Sequence, residues 1–265
     1  DKEVRRYTGI IVIRELADNT PSLLNSYVEI LLDNIWLALR DSNIRIRLLG
    51  VDALRAALVI IAKRASKMSE RYHSIFVNIQ HCFKNNNSNI ESIHSGLLVL
   101  GEMFDNTGEF MLSRFKEVCD AYIFKYKDHK DKNIRESVIS LLPKIAKFEP
   151  NAFAKSYLQT CIDYLFDTLT SNNNTNRGVA YKSYGDIAVA VGPHDVKKLI
   201  YTNNHKIIEH LKVSLDKKTK YPYLEESYYC ISKLCKAYGD NISKYILSIL
   251  DNIFNEKLSR PLVLA

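Results

Sequence analysis

DSNIR at residues 41–45, NSNIE at 87–91 and DKNIR at 131–135 are three versions of one pentapeptide, 46 and 44 residues apart. Each precedes an apolar stripe. The first stripe is Ile44, Leu48, Val51, Leu54, Leu58 and Ile61; the second is Ile90, Ile93, Leu97, Leu100 and Phe104; the third is Ile134, Val138, Leu141, Ile145 and Phe148. Residues recurring every three or four positions share one side of an α-helix. Upstream of the first turn lies another such stripe, Leu24, Val28, Leu31, Ile35 and Leu39. The repeating unit reads as helix A, short polar turn, helix B.

The period outlasts the pentapeptide. Turns are expected near 176 and 220, where SNNNTN (171–176) precedes Tyr181, Tyr184, Ala188 and Val191, and DKKTKYP (216–222) precedes Leu224, Tyr228, Ile231, Leu234 and Tyr238. The frame predicts a partial unit at 5–17, hairpins at 22–64, 69–106, 109–148, 151–191 and 195–238, and a partial unit at 241–265. Two helices per repeat of about 45 residues point to an all-α, HEAT-repeat α-solenoid of five to six antiparallel hairpins, one array over 1–265. The chain opens in a helical pattern with DKEVRRY and stops on apolar PLVLA, as expected of a segment of a longer solenoid. Within the turns, Asp41 and Asp131 are expected to cap helix B, since a carboxylate there accepts free backbone N–H groups and suits the helix dipole. Arg45 and Arg135 follow a buried Ile and are expected to reach an acidic group of the next unit; Asn87 and Glu91 break that scheme in the second copy. Pro143 falls inside a helix B, where it removes a hydrogen bond.

Composition narrows the function. Hydrophobic residues make up 46%, enough for a large core, and nine Gly with six Pro argue against turn-rich β folds. No run is long and apolar enough to span a membrane. The odd number of scattered cysteines, Cys82, Cys119, Cys161, Cys230 and Cys235, fits core thiols in a reducing compartment better than a disulfide framework. Neither GxGxxG nor GxxxxGK[ST] occurs, nor does the protein-kinase motif set, so no phosphoryl transfer is expected from these residues. Of the histidines His73, His81, His94, His129, His194, His205 and His210, the densest group is His205, Glu209 and His210, which reads as a solvated helix face rather than a metal site. Cys230 and Cys235 lie five apart, on different helix faces. The net charge of +7 is mild, and direct nucleic-acid binding is not expected. KYKDHKDK (125–132) and DKKTK (216–220) place lysines in turns, interrupted by acids; they read as solvated turns, with an acidic partner as the sharper alternative. In YPYLEESYY (221–229), Tyr228 is expected in the core and Tyr221 or Tyr223 toward a partner.

Three runs go beyond a generic repeat. RRYTGIIVIRELADNTPSLL (5–24) with VEILLDNIWLALRDSNIRIR (28–47) resembles the N-terminal HEAT region of the target-of-rapamycin (TOR) kinases. The resemblance rests on Arg5, Arg6 and Tyr7, on Arg14 to Ala17, on Pro21, and on Asp33, Asn34, Ile35, Ala38, Leu39, Arg40 and Asp41. SLLPKIAKFEPNAF (140–153) is similar to a second TOR stretch, and CISKLCKAYGDNI (230–242) with KLSRPL (257–262) to a third; 63–90 and 171–176 depart from the family. TOR proteins are giant serine/threonine kinases of the phosphatidylinositol-kinase-related class, with the kinase domain C-terminal to the HEAT array. The resemblance therefore implies a non-catalytic scaffold here, with no catalytic, cofactor or metal residues, ATP and Mg being expected only at the parent's kinase domain. It implies a second TOR copy in a dimer, a Raptor-type regulatory subunit or, in the other complex, a Rictor-type one, and a cytoplasmic location at lysosomal or vacuolar membranes in growth signalling. No partner-contact residue carries over. A stand-alone HEAT adaptor, such as a transport receptor or phosphatase scaffold, is the alternative.

Overall fold

The computed structural model describes residues 2–63, 68–84, 89–171, 175–215 and 222–243 and positions 247, 249, 250, 253 and 263, with backbone alone over 193–206 and at 241. Every regular element among them is helical, and no strand occurs among the described residues. The fold is all-α. Two compact units divide inside one helix, between Val138 and Ile139.

In the first unit, α1 (Lys2–Asn19) is followed by a broken A helix, α2 (Pro21–Asn25) and α3 (Val28–Leu39), and by α4 (Ile44–Ala62). A second hairpin pairs α5 (Met68–Phe83) with α6 (Ile90–Asn106). Then come α7 (Glu109–Leu112) and α8 (Phe115–Val118), the latter continuing through a π turn at Cys119–Ile123. The next helix, α9 (Lys132–Phe148), carries the unit boundary. α3 packs on α4, α5 on α6, and the B helices α1, α4 and α6 stack side by side. The expected A stripe is buried throughout: Leu24, Val28, Leu31, Ile35 and Leu39.

The B stripes need a correction at their first residues. Ile44 is only half-buried, Leu48 is 45% exposed and Ile90 is 44% exposed, whereas Ile134 is fully buried. The helix starts explain this. Ile44 and Ile90 are the first residues of α4 and α6, pointing away from the packed face, while α9 begins two residues earlier in its pentapeptide. In α4 the burial passes to Ile46 and Arg47.

The second unit contains α10 (Pro150–Ser156), α11 (Leu158–Thr170), α12 (Arg177–Ser214) and α13 (Leu224–Tyr238). Pro21 and Pro150 each open a short leading helix, where the missing N–H costs nothing. α12 is two helices joined at the single residue Gly192, whose φ of 74° suits glycine. α11 and α13 both pack on α12, and Tyr181, Tyr184, Ala188, Tyr228, Ile231, Leu234 and Tyr238 are buried as expected. Gly185 lets α13 come close to α12, because a Cβ there would lie 2.8 Å from Lys233 and 3.2 Å from the Cys230 backbone.

Pro143 lies inside α9 as expected. Its ring nitrogen cannot donate to the carbonyl four residues back, that of Ile139. The buried hydroxyl of Ser183, on α12, donates to that carbonyl at 2.9 Å. Leaving a buried carbonyl unsatisfied costs about 1–3 kcal/mol. Ser183→Ala is therefore expected to destabilise the protein by about 2 kcal/mol in urea unfolding. With Pro143→Ala, which restores the backbone donor, the same change should cost well under half as much. Equal costs in the two backgrounds would show that the hydroxyl does not replace the lost bond.

Candidate functional site

The turns between A and B helices in the first unit hold a polar network. Asp41 was expected to cap α4, but the cap is Asn43, whose Oδ1 accepts the Arg45 N–H at 2.8 Å. Asp41 instead forms the turn: its Oδ1 accepts the Asn43 N–H at 2.8 Å, and its carboxylate takes Arg6 of α1 at 2.7 Å. Asn89 caps α6 through the Ser92 N–H at 2.9 Å. Asp131 does cap its helix, accepting from Asn133 at 2.9 Å and Ile134 at 3.1 Å. The feature common to Asp41 and Asp131 is an acceptor for the amide two residues on, an Asx turn.

The arginines also differ from expectation. Arg135 turns back on its own loop, donating to the carbonyls of His129 and Lys130 at 2.7 Å each. Its counterpart is Arg47 rather than Arg45: Arg47 donates to the carbonyls of Asp41 (2.6 Å) and Ser42 (3.1 Å), the same six and five residues back. Arg47 is 4% exposed and donates through Nε to His94 Nδ1 on α6 at 3.1 Å. His94 is thus an acceptor at Nδ1, which requires the neutral ring. Burial, then the Arg47 charge, push its pKa down to about 4, partly offset by Asp131. Further along, Arg55 of α4 grips buried Glu102 of α6 with two bonds of 2.7 and 2.9 Å, and Arg71 of α5 meets Glu29 of α3 at 2.8 Å.

No family model matches the chain. Individual relatives do. The chain is 32% identical over 261 residues to the serine/threonine-protein kinase TOR of Arabidopsis thaliana, and 33% identical over 262 residues to that of Oryza sativa. Each match covers 98% of this chain and 10% of the relative. The TOR2 kinase of Saccharomyces cerevisiae is 32% identical over 95% of the chain, again 10% of its own length. The chain is a TOR segment. It spans about a tenth of the length of the curated relatives it matches.

Titratable groups of this TOR segment are largely engaged in structure. Cys82, Cys119, Cys161 and Cys230 are buried and Cys235 half-buried, and none of the five is in a disulfide. Burial pushes the Cys119 thiol up to about 12 and raises Cys230 and Cys235 as well, which disfavours the reactive thiolate. His210 is not on a solvated face: it is half-buried, its Nδ1 lies 2.9 Å from the Tyr181 hydroxyl, and its ring meets Phe166 edge-on. Burial and the Arg177 charge lower its pKa. The side chain of His205 lies outside the described residues, and no metal-holding cluster occurs among those described.

The basic turn at 125–132 is partly consumed by its own fold. Lys127 pairs with Asp128 at 2.5 Å, His129 Nδ1 accepts the Asp131 N–H at 3.0 Å, and Tyr122 and Tyr126 pack on Phe83 at 4.9 and 5.5 Å. The turn at 216–220 and Tyr221 lie outside the described residues. Tyr228 is buried as expected, whereas Tyr223 is half-buried and would lie 3.1 Å from a Cβ at Gly178. Sequence reasoning missed Arg47, His94, Arg55 and Glu102. The available signal was separation, since Arg47–His94 and Arg55–Glu102 are each 47 residues apart, close to one repeat.

Arg47→Ala leaves two loop carbonyls and a buried imidazole without a donor and is expected to cost about 3 kcal/mol in urea unfolding. Arg45→Ala, at an exposed site, should stay within about 0.5 kcal/mol. The depressed His94 pKa gives a pH dependence of fixed sign. The unfolded ring binds a proton near 6.5 and the folded ring only near 4, so stability is complete above about 6.5 and declines as pH falls toward 4, by about 3 kcal/mol in all. His94→Gln, which keeps an acceptor for Arg47, should flatten that slope in unfolding titrations across this window.

Proposed function

We propose that this chain is a non-catalytic HEAT-type scaffold segment, near the N-terminus, of a TOR serine/threonine kinase. In this reading it supports dimer assembly and docks a Raptor-type regulatory subunit in nutrient-responsive growth signalling. A Rictor-type subunit would use related surface in the other complex. The observation that carries the reading is the match to TOR kinases over 98% of the chain but only 10% of each kinase. A segment that small, built of stacked hairpins whose buried charges are tied to neighbouring helices, suits a role in holding surfaces in place. A phosphotransfer site would instead need a phosphate-cradling loop and metal-binding carboxylates. By the same reading the segment works in the cytoplasm, at lysosomal or vacuolar membranes as part of a complex. None of its described helices is long and apolar enough to cross a bilayer.

Deleting residues 1–265 from the full-length kinase tests this. Co-purification of the Raptor-type subunit should fall at least about tenfold, while phosphorylation of a short generic peptide, which needs no docking, stays within about twofold. Loss of peptide phosphorylation with subunit binding intact would overturn the scaffold reading.

A further inference from the structure

Exposed charge in the first unit is sorted by edge. Along the edge of the A–B turns, Arg5, Arg45, Lys84, Lys125, Lys130 and Lys132 are exposed. The acids of that edge are engaged by neighbours. Asp41 is buried against Arg6, Asp131 caps α9, Glu3 accepts from the Asn43 side-chain amide at 2.6 Å, and Asp128 pairs with Lys127. At the opposite edge, where B helices end and the next A helices begin, Glu15, Asp18, Glu70, Asp105 and Glu109 are exposed beside Lys63.

Helix dipoles do not account for this sorting. Lys84 follows the C-terminus of α5, where a cation is favoured. Arg5, Arg45 and Lys132, however, stand in the first turns of α1, α4 and α9, where positive charge is disfavoured. Asp18 and Asp105 stand in the last turns of α1 and α6, where negative charge is disfavoured. Like charges gathered on one edge repel one another, and a ligand of opposite sign offsets that cost.

The three turns form one surface. Arg47 lies beneath them, bonded to the 41–42 loop and to His94, and its charge interacts with those of Glu91 and Asp131. The B helices α1, α4 and α6 pack side by side, a relation that sets axes about 8–10 Å apart. Each level offers an exposed cation: Arg5 on α1, Arg45 on α4, Lys84 ahead of α6, and Lys132 on α9.

We infer that an acidic segment of a partner protein docks along this edge in polyproline II conformation, presenting one carboxylate to each repeat. A polyproline II helix has three residues per turn and rises about 3.1 Å per residue. Acids at every third position therefore lie on one side, about 9 Å apart, which matches the spacing of packed helices. Its backbone stays solvated and needs neither a free strand edge nor an apolar groove. Nucleic acid fits less well, because its phosphates recur about every 3.4 Å along each strand and would outnumber the cations. Tyr122 and Tyr126 are also packed on Phe83 rather than open for base stacking. This docking needs no Raptor-type subunit, so it stands or falls separately from the effect of deleting the segment.

Fluorescence anisotropy with the full-length TOR protein tests the docking, using a labelled peptide of about twelve residues with glutamate at every third position among prolines. At low ionic strength the triple variant Arg45→Glu, Lys130→Glu, Lys132→Glu should bind it at least about tenfold more weakly than wild type, the scale of three exposed ion pairs lost. The double variant Asp18→Lys, Glu70→Lys, on the opposite edge, should stay within about twofold. A peptide of the same composition with its glutamates grouped at one end should bind at least about fivefold more weakly to wild type. Equal affinity for the two peptides, unchanged affinity in the triple variant, or equal loss in both variants overturns the proposal. A second readout needs no variant: carbodiimide coupling to wild type should join the peptide's glutamates to Lys84, Lys130 and Lys132. Coupling only elsewhere, or none, likewise overturns it. Loss of phosphatidylserine vesicles or oligothymidylate from the triple variant, with peptide binding retained, would assign the edge to a membrane or a nucleic acid instead.

Discussion

No helical hairpin in this chain can cover its own apolar surface, and the rest of the structure follows from that constraint. An A helix hides part of one flank of its B helix, but the stripe is wider than one contact and must be finished by the next repeat. Polar groups near the stripe are constrained in the same way. Arg47–His94, Arg55–Glu102, Ser183–Ile139, Lys182–Glu226 and Tyr229–Asp186 each join residues 43 to 47 apart. Each pair is a contact between equivalent levels of successive repeats, and together they fix the sliding register that greasy stripes alone leave loose.

Much of this fold was legible in sequence because helix period and repeat period are independent signals that agreed. The A stripe from Leu24 to Leu39, and the later stripes from Ile93 to Phe104, Tyr181 to Val191 and Tyr228 to Tyr238, are buried where their spacing put them. The ends of helices were harder. DSNIR and DKNIR share the Asx turn made by their aspartates, yet the helix begins two residues earlier in the second of them. That slip moves the capping role from Asn43 to Asp131 and exchanges Ile44 for Ile134 in the core. Local chemistry permits both starts, and only the packing of the whole helix selects one.

The buried cations were illegible for a related reason. An Arg at a stripe position reads as an error in the pattern until its acceptors are known, and those of Arg47 are two loop carbonyls and an imidazole from the next hairpin. His210 likewise reads as solvent-facing until Tyr181 and Phe166 are placed against it. The candidate site was therefore only half readable. The resemblance to the TOR family is carried by runs such as DNIWLALRD, whereas the groups that lock the repeats together are defined by partners one repeat away in the fold.

The hydroxyl of Ser183 beneath Pro143 constrains how such a sequence can have arisen. A proline entering that helix before the hydroxyl was in place would have stranded a carbonyl in a dry interior, at a cost comparable with a sizeable share of a domain's net stability. A serine entering first would have met a carbonyl already engaged within its own helix and could have been nearly neutral. The permissive order is serine, then proline. Once both are present the path back is guarded, because losing the serine first is the costly step.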